Sequence, residues 1–193
     1  MSHLTLILGG ARSGKSTYAE MLARQWGGDD VLYIATAQAL DDDMRSRIEA
    51  HRAQRPASWR TLEAPLHPGR VLLSQRPPEP VFLLDCLTLL VSNILLAHNG
   101  DVDAAQEAVD ETLDDLLVAM RALNVRLILV SNEVGMGLVP DNALGRAYRD
   151  LLGRANQRMA QAADEVIFMV AGLPLALKED LDMDDRCRDG DRH

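Results

Sequence analysis

Short apolar runs alternate with longer segments of helical periodicity along this chain. Leu4 to Leu8 is the first run, and it ends in Gly9-Gly10 as a buried strand entering a tight turn would. Lys15 to Trp26 then reads as a helix closed by Gly27-Gly28. Val31 to Ala35 is a second strand-like run. Asp41-Asp42-Asp43 opens a helix predicted to reach about Gln54, ahead of Pro56, with its acids where the helix dipole favours negative charge. Trp59 to Leu62 suits a short strand, and Arg70 to Ser74 suits either helix or strand. The proline-rich stretch Arg76 to Pro80 leads into a buried strand, Val81 to Leu84, that ends at Asp85. Leu87 to Ala97 and Val102 to Leu123 are predicted helices, the second amphipathic with an acidic outer face. Val125 to Val130 is another buried strand, followed by Ser131-Asn132-Glu133 and a loop from Val134 to Pro140. Asn142 to Ala163 is helical, and Glu165 to Val170 is the last convincing strand.

Strands alternating with helices predict an α/β fold of parallel βαβ units, with a mainly parallel central sheet and helices on both faces. The expected organisation is one domain over 1–177 and an acidic, frayed tail over 178–193. The tail holds seven acids against four bases. At 193 residues, 47% hydrophobic and 25% charged, the chain is large enough for one substantial core. A net charge of -9 argues against a nucleic-acid platform, which needs clustered Lys and Arg. The two cysteines, Cys86 and Cys187, lie far apart without metal-ligand spacing, so a cytoplasmic location is expected. The N-terminus lacks the pattern of a signal peptide, and no apolar run approaches a membrane span.

The strongest chemical motif is Gly9-Gly10-Ala11-Arg12-Ser13-Gly14-Lys15-Ser16, which fits G-x-x-x-x-G-K-[ST] between a predicted strand and a predicted helix. Its glycines let backbone N–H groups turn inward around phosphate oxygens, and the helix directs its positive end at the same anion. Lys15 is expected to reach the β and γ phosphates, and Ser16 to hold Mg²⁺ through its hydroxyl. Asp85, after a second buried strand, suits a carboxylate that holds the metal, directly or through water; capping the next helix is the other reading. On the helix from Asp41, His51 shares a face with Met44 and Ile48, among Arg47, Arg52 and Arg55. Guanidinium neighbours favour the neutral, nucleophilic imidazole and can neutralise a phosphate under attack. Spacing alone favours a plain surface histidine on a charged helix and does not decide for a catalytic role. Thr36 and Glu63 follow strands, on the side where open parallel sheets bind ligands. Asn132 to Gly137 lies there too, with its role open.

In combination these features resemble the family of bifunctional adenosylcobinamide kinase/adenosylcobinamide-phosphate guanylyltransferases of cobalamin biosynthesis. The resemblance runs from Leu6 to about Val170. It is carried by the phosphate-loop motif, Tyr33-Ile-Ala-Thr-Ala37, Asp41-Asp42-x-Met44-x-x-Arg47-Ile48-x-x-His51 and Trp59-Arg60-Thr61-x-Glu63. Leu84-Asp85-Cys86-Leu87-Thr88, Ser92-Asn93 and Val130 to Gly137 complete it. It implies a RecA-like P-loop NTPase fold and two reactions. A nucleoside triphosphate phosphorylates the aminopropanol hydroxyl of adenosylcobinamide; then GTP guanylylates a histidine, and GMP passes to the phosphorylated corrinoid. The histidine implied is His51, preceded here by Ala50 where some members have a second histidine. Nucleotide contacts are implied for 9–16, for Ala35, Thr36 and Ala37, for Arg52, Ala53, Gln54 and Arg55, and for Glu63 and Asp85. Some members carry Glu at the position of Asp85. The implied cofactor is Mg²⁺, the implied substrates are ATP and GTP with the corrinoid, and the implied assembly is a homotrimer. A P-loop kinase of small molecules without the guanylyl step, and a nucleotide-dependent switch protein, are the competing readings.

Overall fold

A computed structural model of the chain describes residues 1–38 and 55–179. In chain order its elements are β1 (His3–Gly9), α1 (Lys15–Gly27), β2 (Val31–Ala35), β3 (Arg60–Glu63), α2 (Pro68–Gln75), β4 (Val81–Asp85) and α3 (Leu87–Ala97). They continue with α4 (Val102–Leu123), β5 (Arg126–Asn132), α5 (Ala143–Ala162), β6 (Glu165–Val170) and β7 (Leu173–Lys178). The strands form one sheet in the order β3-β2-β4-β5-β1-β6-β7. β1 to β6 are parallel, and β7 runs antiparallel to β6.

The parallel strands are apolar along their length because both faces are covered. Leu4, Leu6, Phe82, Leu84, Leu127 and Leu129 join one core with α2 to α5. The alternate residues Ile7, Leu83, Ile128 and Val130 join a second core with Ala19, Leu22 and Ala23 of α1. Helix ends follow local chemistry. Asp101 caps α4 by accepting from the Ala104 N–H at 3.2 Å, and Asn142 caps α5 through the Gly145 N–H at 2.7 Å. Gly28, at φ 57, stops α1 and donates its N–H to the Arg24 carbonyl. The acidic outer face of α4 is tied to its neighbours by arginines: Arg70 bonds Glu111 and Asp115, and Arg158 bonds Asp110 and Asp114.

Several expectations are refined by packing. The ambiguous Arg70 to Ser74 stretch is helical: Pro68 opens α2 and Leu72 is fully buried. Ser131 and Asn132 belong to β5 rather than following it. Glu165–Val170 is not the last strand. β7 escaped notice because its leucines alternate without a buried face and Pro174 interrupts it, yet on an edge beside β6 that proline is tolerated. The helix expected from Asp41 to Gln54 and the acidic segment beyond residue 179 lie outside the described residues.

α2 and α4 approach closely at Gly69, where an added Cβ would sit 2.3 Å from the Asp115 carbonyl carbon and 2.5 Å from the Leu116 nitrogen. In an open helix Gly→Ala is stabilising, but here backbone must move. Gly69→Ala is therefore expected to destabilise by about 1–3 kcal/mol, the usual range for overpacking. Urea denaturation measures it, and an unchanged or higher midpoint would contradict the close approach.

Candidate nucleotide site

The carboxyl ends of the parallel strands bring the sequence motifs together. β1 ends at Gly9, and the loop to α1 turns through Arg12 at φ 57 and Gly14 at φ 93. Gly14 caps α1 with no side-chain bond, which leaves the first N–H groups of the helix open to an anion. The Gly10 carbonyl accepts from the Ser13 N–H at 3.3 Å and from Lys15 Nζ at 3.1 Å, so the ammonium lies folded over the loop. Burial holds the Lys15 ammonium below the ordinary lysine value, with the Asp85 carboxylate pulling it back up. Added phosphate charge would favour the protonated form further.

The β6–β7 turn supports this loop from behind. Ala171 and Gly172 both have positive φ, as a two-residue hairpin turn requires, and the Gly172 N–H donates to the Ser13 carbonyl at 2.9 Å. Glycine is needed where these segments meet. A Cβ on Gly9 would lie 2.5 Å from Ser13 Oγ and 2.8 Å from the Met169 carbonyl oxygen, and one on Gly14 would lie 3.2 Å from the Gly172 Cα.

Glu63, Ala35 and Asp85 end three neighbouring strands in one register. Tyr33, two residues before Ala35, shares its face and donates its hydroxyl to Asp85 Oδ2 at 2.9 Å. The Arg55 guanidinium carbon lies 3.4 Å from the centre of the Tyr33 ring. Burial and the nearby Asp85 carboxylate push the Tyr33 phenol well above its usual range, so it stays a donor. Arg55, Tyr33 and Asp85 thus form one chain of contacts. Burial and Asp85 also push the Cys86 thiol up to about 12, so it is a neutral neighbour rather than a nucleophile.

Thr36 is placed differently from the other residues of its segment. It is fully buried, and its hydroxyl accepts from the Cys86 N–H and donates to the Cys86 carbonyl, both at 2.8 Å. The side chain fastens the β2 end to the β4 end. Asn93 of α3 adds to this by donating to the carbonyls of Thr36 and Pro65. Ala37 is half-buried beyond this junction, and Glu63 is exposed at its edge. His51, Arg52, Ala53 and Gln54 lie outside the described residues, of which Arg55 is the first to follow. The contacts of Tyr33 and Asn93 were not singled out from sequence. Tyr33 was legible through strand alternation, whereas Asn93 reaches loops far along the chain.

Comparison with known proteins agrees with this geometry. The family described as cobinamide kinase / cobinamide phosphate guanyltransferase matches residues 5–177. The bifunctional adenosylcobalamin biosynthesis protein CobU of Salmonella typhimurium is 44% identical over 184 residues, covering 91% of this chain and 99% of that protein. The corresponding protein CobP of Pseudomonas aeruginosa is 49% identical over 174 residues, covering 90% and 96%. Among solved structures, an ATPase domain aligns over 93% of this chain and 78% of that domain's chain with a TM-score of 0.57. The flagellar accessory protein FlaH of Methanocaldococcus jannaschii aligns over 93% and 80% with a TM-score of 0.53. Both are 14% identical and speak to the fold, which is that of RecA-like P-loop ATPases. With a family match across most of its length and relatives at this identity, the chain belongs to the cobinamide kinase / cobinamide phosphate guanyltransferase family.

Proposed function

We propose that this chain phosphorylates adenosylcobinamide with ATP or GTP and then transfers GMP from GTP, through a covalent intermediate on His51, to give adenosylcobinamide-GDP. The observation that carries the reading is the junction of two motifs at one strand edge. Arg55, four residues after His51, stacks on Tyr33, and Tyr33 holds Asp85, whose charge in turn reaches Lys15. Arg55 is the first described residue after the His51 motif, and its seat on Tyr33 supports a guanylyl step that uses this same edge.

In the first step the corrinoid hydroxyl attacks the γ phosphorus and the nucleoside diphosphate leaves. Lys15 and the N–H groups at the start of α1 stabilise the charge that moves onto the bridging and non-bridging oxygens. In the second, neutral His51 attacks the α phosphorus of GTP and pyrophosphate leaves. The phosphate of the corrinoid product then displaces the imidazole from GMP. Contacts to nucleotide are assigned to 9–16, to the Ala35–Ala37 turn, to Arg52, Ala53, Gln54 and Arg55, and to Glu63 and Asp85. Thr36 is better placed to shape that turn than to touch ligand with its hydroxyl.

Mg²⁺ fits the residues present. Ser16 supplies a hydroxyl at the start of α1, and Tyr33 occupies only one of the two Asp85 carboxylate oxygens. Among the described residues no group of three or more His, Cys, Asp or Glu side chains could cage a metal. This suits an ion held mostly by phosphates and water. The ion would supply charge neutralisation at the phosphates.

The direct test is product analysis by mass after incubation with adenosylcobinamide, ATP, GTP and Mg²⁺; absence of both phosphorylated and GDP-linked corrinoid would refute the reading. Lys15→Met should lower phosphoryl transfer about 100-fold or more, the usual cost of removing a charge-stabilising donor. His51→Asn should abolish acid-labile labelling from GTP carrying an α-phosphate label while retaining most phosphoryl transfer. Persistent labelling of that variant would move the nucleophile elsewhere. The same reading takes the partners as small molecules, the location as cytoplasmic and the assembly as a homotrimer. Exposed Leu173, Leu175 and Leu177 along β7 offer an apolar strip that a subunit contact would cover. Sedimentation equilibrium should give three times the 21.2 kDa chain mass; a monomer would reject the trimer.

A further inference from the structure

Asn132, the last residue of β5, stands in register with Gly9 at the root of the phosphate loop. By strand alternation it shares a face with Ile128 and Val130, which pack in the core beneath α1. Asp85 shares that face on β4, two residues after Leu83 of the same core. Asn132 is therefore flanked by the strand that carries the carboxylate and the strand that carries the loop.

Its backbone is completely committed. The Asn132 N–H donates to Thr88 Oγ1 at 2.8 Å, and its carbonyl accepts from Asn156 Nδ2 at 3.0 Å. Asn156, buried on α5, also takes the Ser131 hydroxyl at 2.6 Å. The next N–H, that of Glu133, donates to the Gly9 carbonyl at 3.0 Å. Contacts from α3, α5 and β1 thus lock the end of β5. Yet Asn132 Oδ1 is buried and has no hydrogen-bond partner among the described residues. Leaving a buried acceptor unmet costs stability, and so rigid a mounting is what a preorganised ligand contact needs.

We infer that Asn132 Oδ1 accepts the O–H hydrogen of the alcohol that receives the phosphoryl group. This rests on the kinase reading above and adds to it a residue that binds the acceptor. Phosphate oxygens are themselves acceptors at neutral pH and cannot satisfy a carbonyl-type oxygen. The O–H donors that the reaction brings to this edge are the acceptor alcohol and a water on Mg²⁺. The alcohol is the source assigned, because Asn132 is in register with the loop residue that precedes the phosphates. The amide is no base, so it orients the alcohol rather than deprotonating it. The alcohol oxygen forms the new bond to the γ phosphorus, and the bond to the bridging oxygen breaks. The nucleoside diphosphate leaves with that electron pair, and the alcohol proton passes to solvent.

The test compares Asn132→Ala and Asn132→Asp with the full-length parent in adenosylcobinamide phosphorylation. Each protein is also measured for binding of a fluorescent GTP analogue across a Mg²⁺ titration, and for its melting temperature. Asn132→Ala should lose about 100-fold in phosphoryl transfer, while Mg²⁺-dependent nucleotide binding stays within about threefold. Asn132→Asp, which keeps an oxygen acceptor in the same place, should recover part of the loss. A tenfold weaker Mg²⁺ dependence in the alanine variant would assign the donor to metal-bound water and overturn the alcohol. Phosphorylation within threefold of the parent, or equal loss in both variants with a lowered melting temperature, would overturn the contact altogether. If the parent itself makes no phosphorylated corrinoid, the kinase reading fails before this one is reached.

Discussion

A loop that is to hold a triphosphate with backbone N–H groups must be stiff before the ligand arrives, because each donor must point inward without help. In this chain the stiffness comes from three directions. The Ser13 N–H closes the loop on the Gly10 carbonyl, the Glu133 N–H ties Gly9 to the end of β5, and the Gly172 N–H grips Ser13 from the β6–β7 hairpin. Gly9 and Gly14 permit the contact: a side chain at Gly9 would collide with Ser13 and Met169, and Gly14 stands at a positive φ close against Gly172. The rest of the site is arranged around that fixed cradle, at the edge where helix dipoles and strand ends converge.

From the cradle a single chain of contacts runs outward across the sheet: Lys15 to Asp85 by charge, Asp85 to Tyr33 by a hydrogen bond, and Tyr33 to Arg55 by its ring face. Each link has a physical reason. A half-buried ammonium gains from a carboxylate nearby, a half-buried carboxylate gains from a donor, and a guanidinium is well accommodated on an aromatic face. This arrangement links Arg55 to the carboxylate beside the loop. It offers a way for two transfers to use one triphosphate cradle.

A second layer holds the strand ends themselves. Thr36 bridges β2 to β4, Asn93 holds the turn after β2, and Thr88, Ser131 and Asn156 hold the end of β5. These are polar side chains placed in or beside apolar cores, and nearly all of their groups are bonded. Such networks trade some burial of apolar surface for a defined geometry at the edge. Asn132 Oδ1 is an exception among them.

Much of this was readable from the chain. Apolar runs such as Val31 to Ala35 and Val81 to Leu84, each flanked by turn residues, identify buried parallel strands, because only a strand covered on both faces is apolar at every position. The spacing of glycines around Lys15 identifies an anion loop, because local backbone freedom and a helix start are all that motif needs. Local chemistry therefore determined the elements, the loop and the family likeness. Only the tertiary structure decided that α2 is a helix, that β7 completes the sheet and that the β6–β7 turn braces the loop. It alone placed Tyr33 against Asp85, Asn93 on the Thr36 and Pro65 carbonyls, and Asn132 beside Gly9. Those outcomes depend on which distant segments meet across the sheet, and contacts spanning fifty or more residues, such as Tyr33 with Asp85, leave no periodic trace in the sequence.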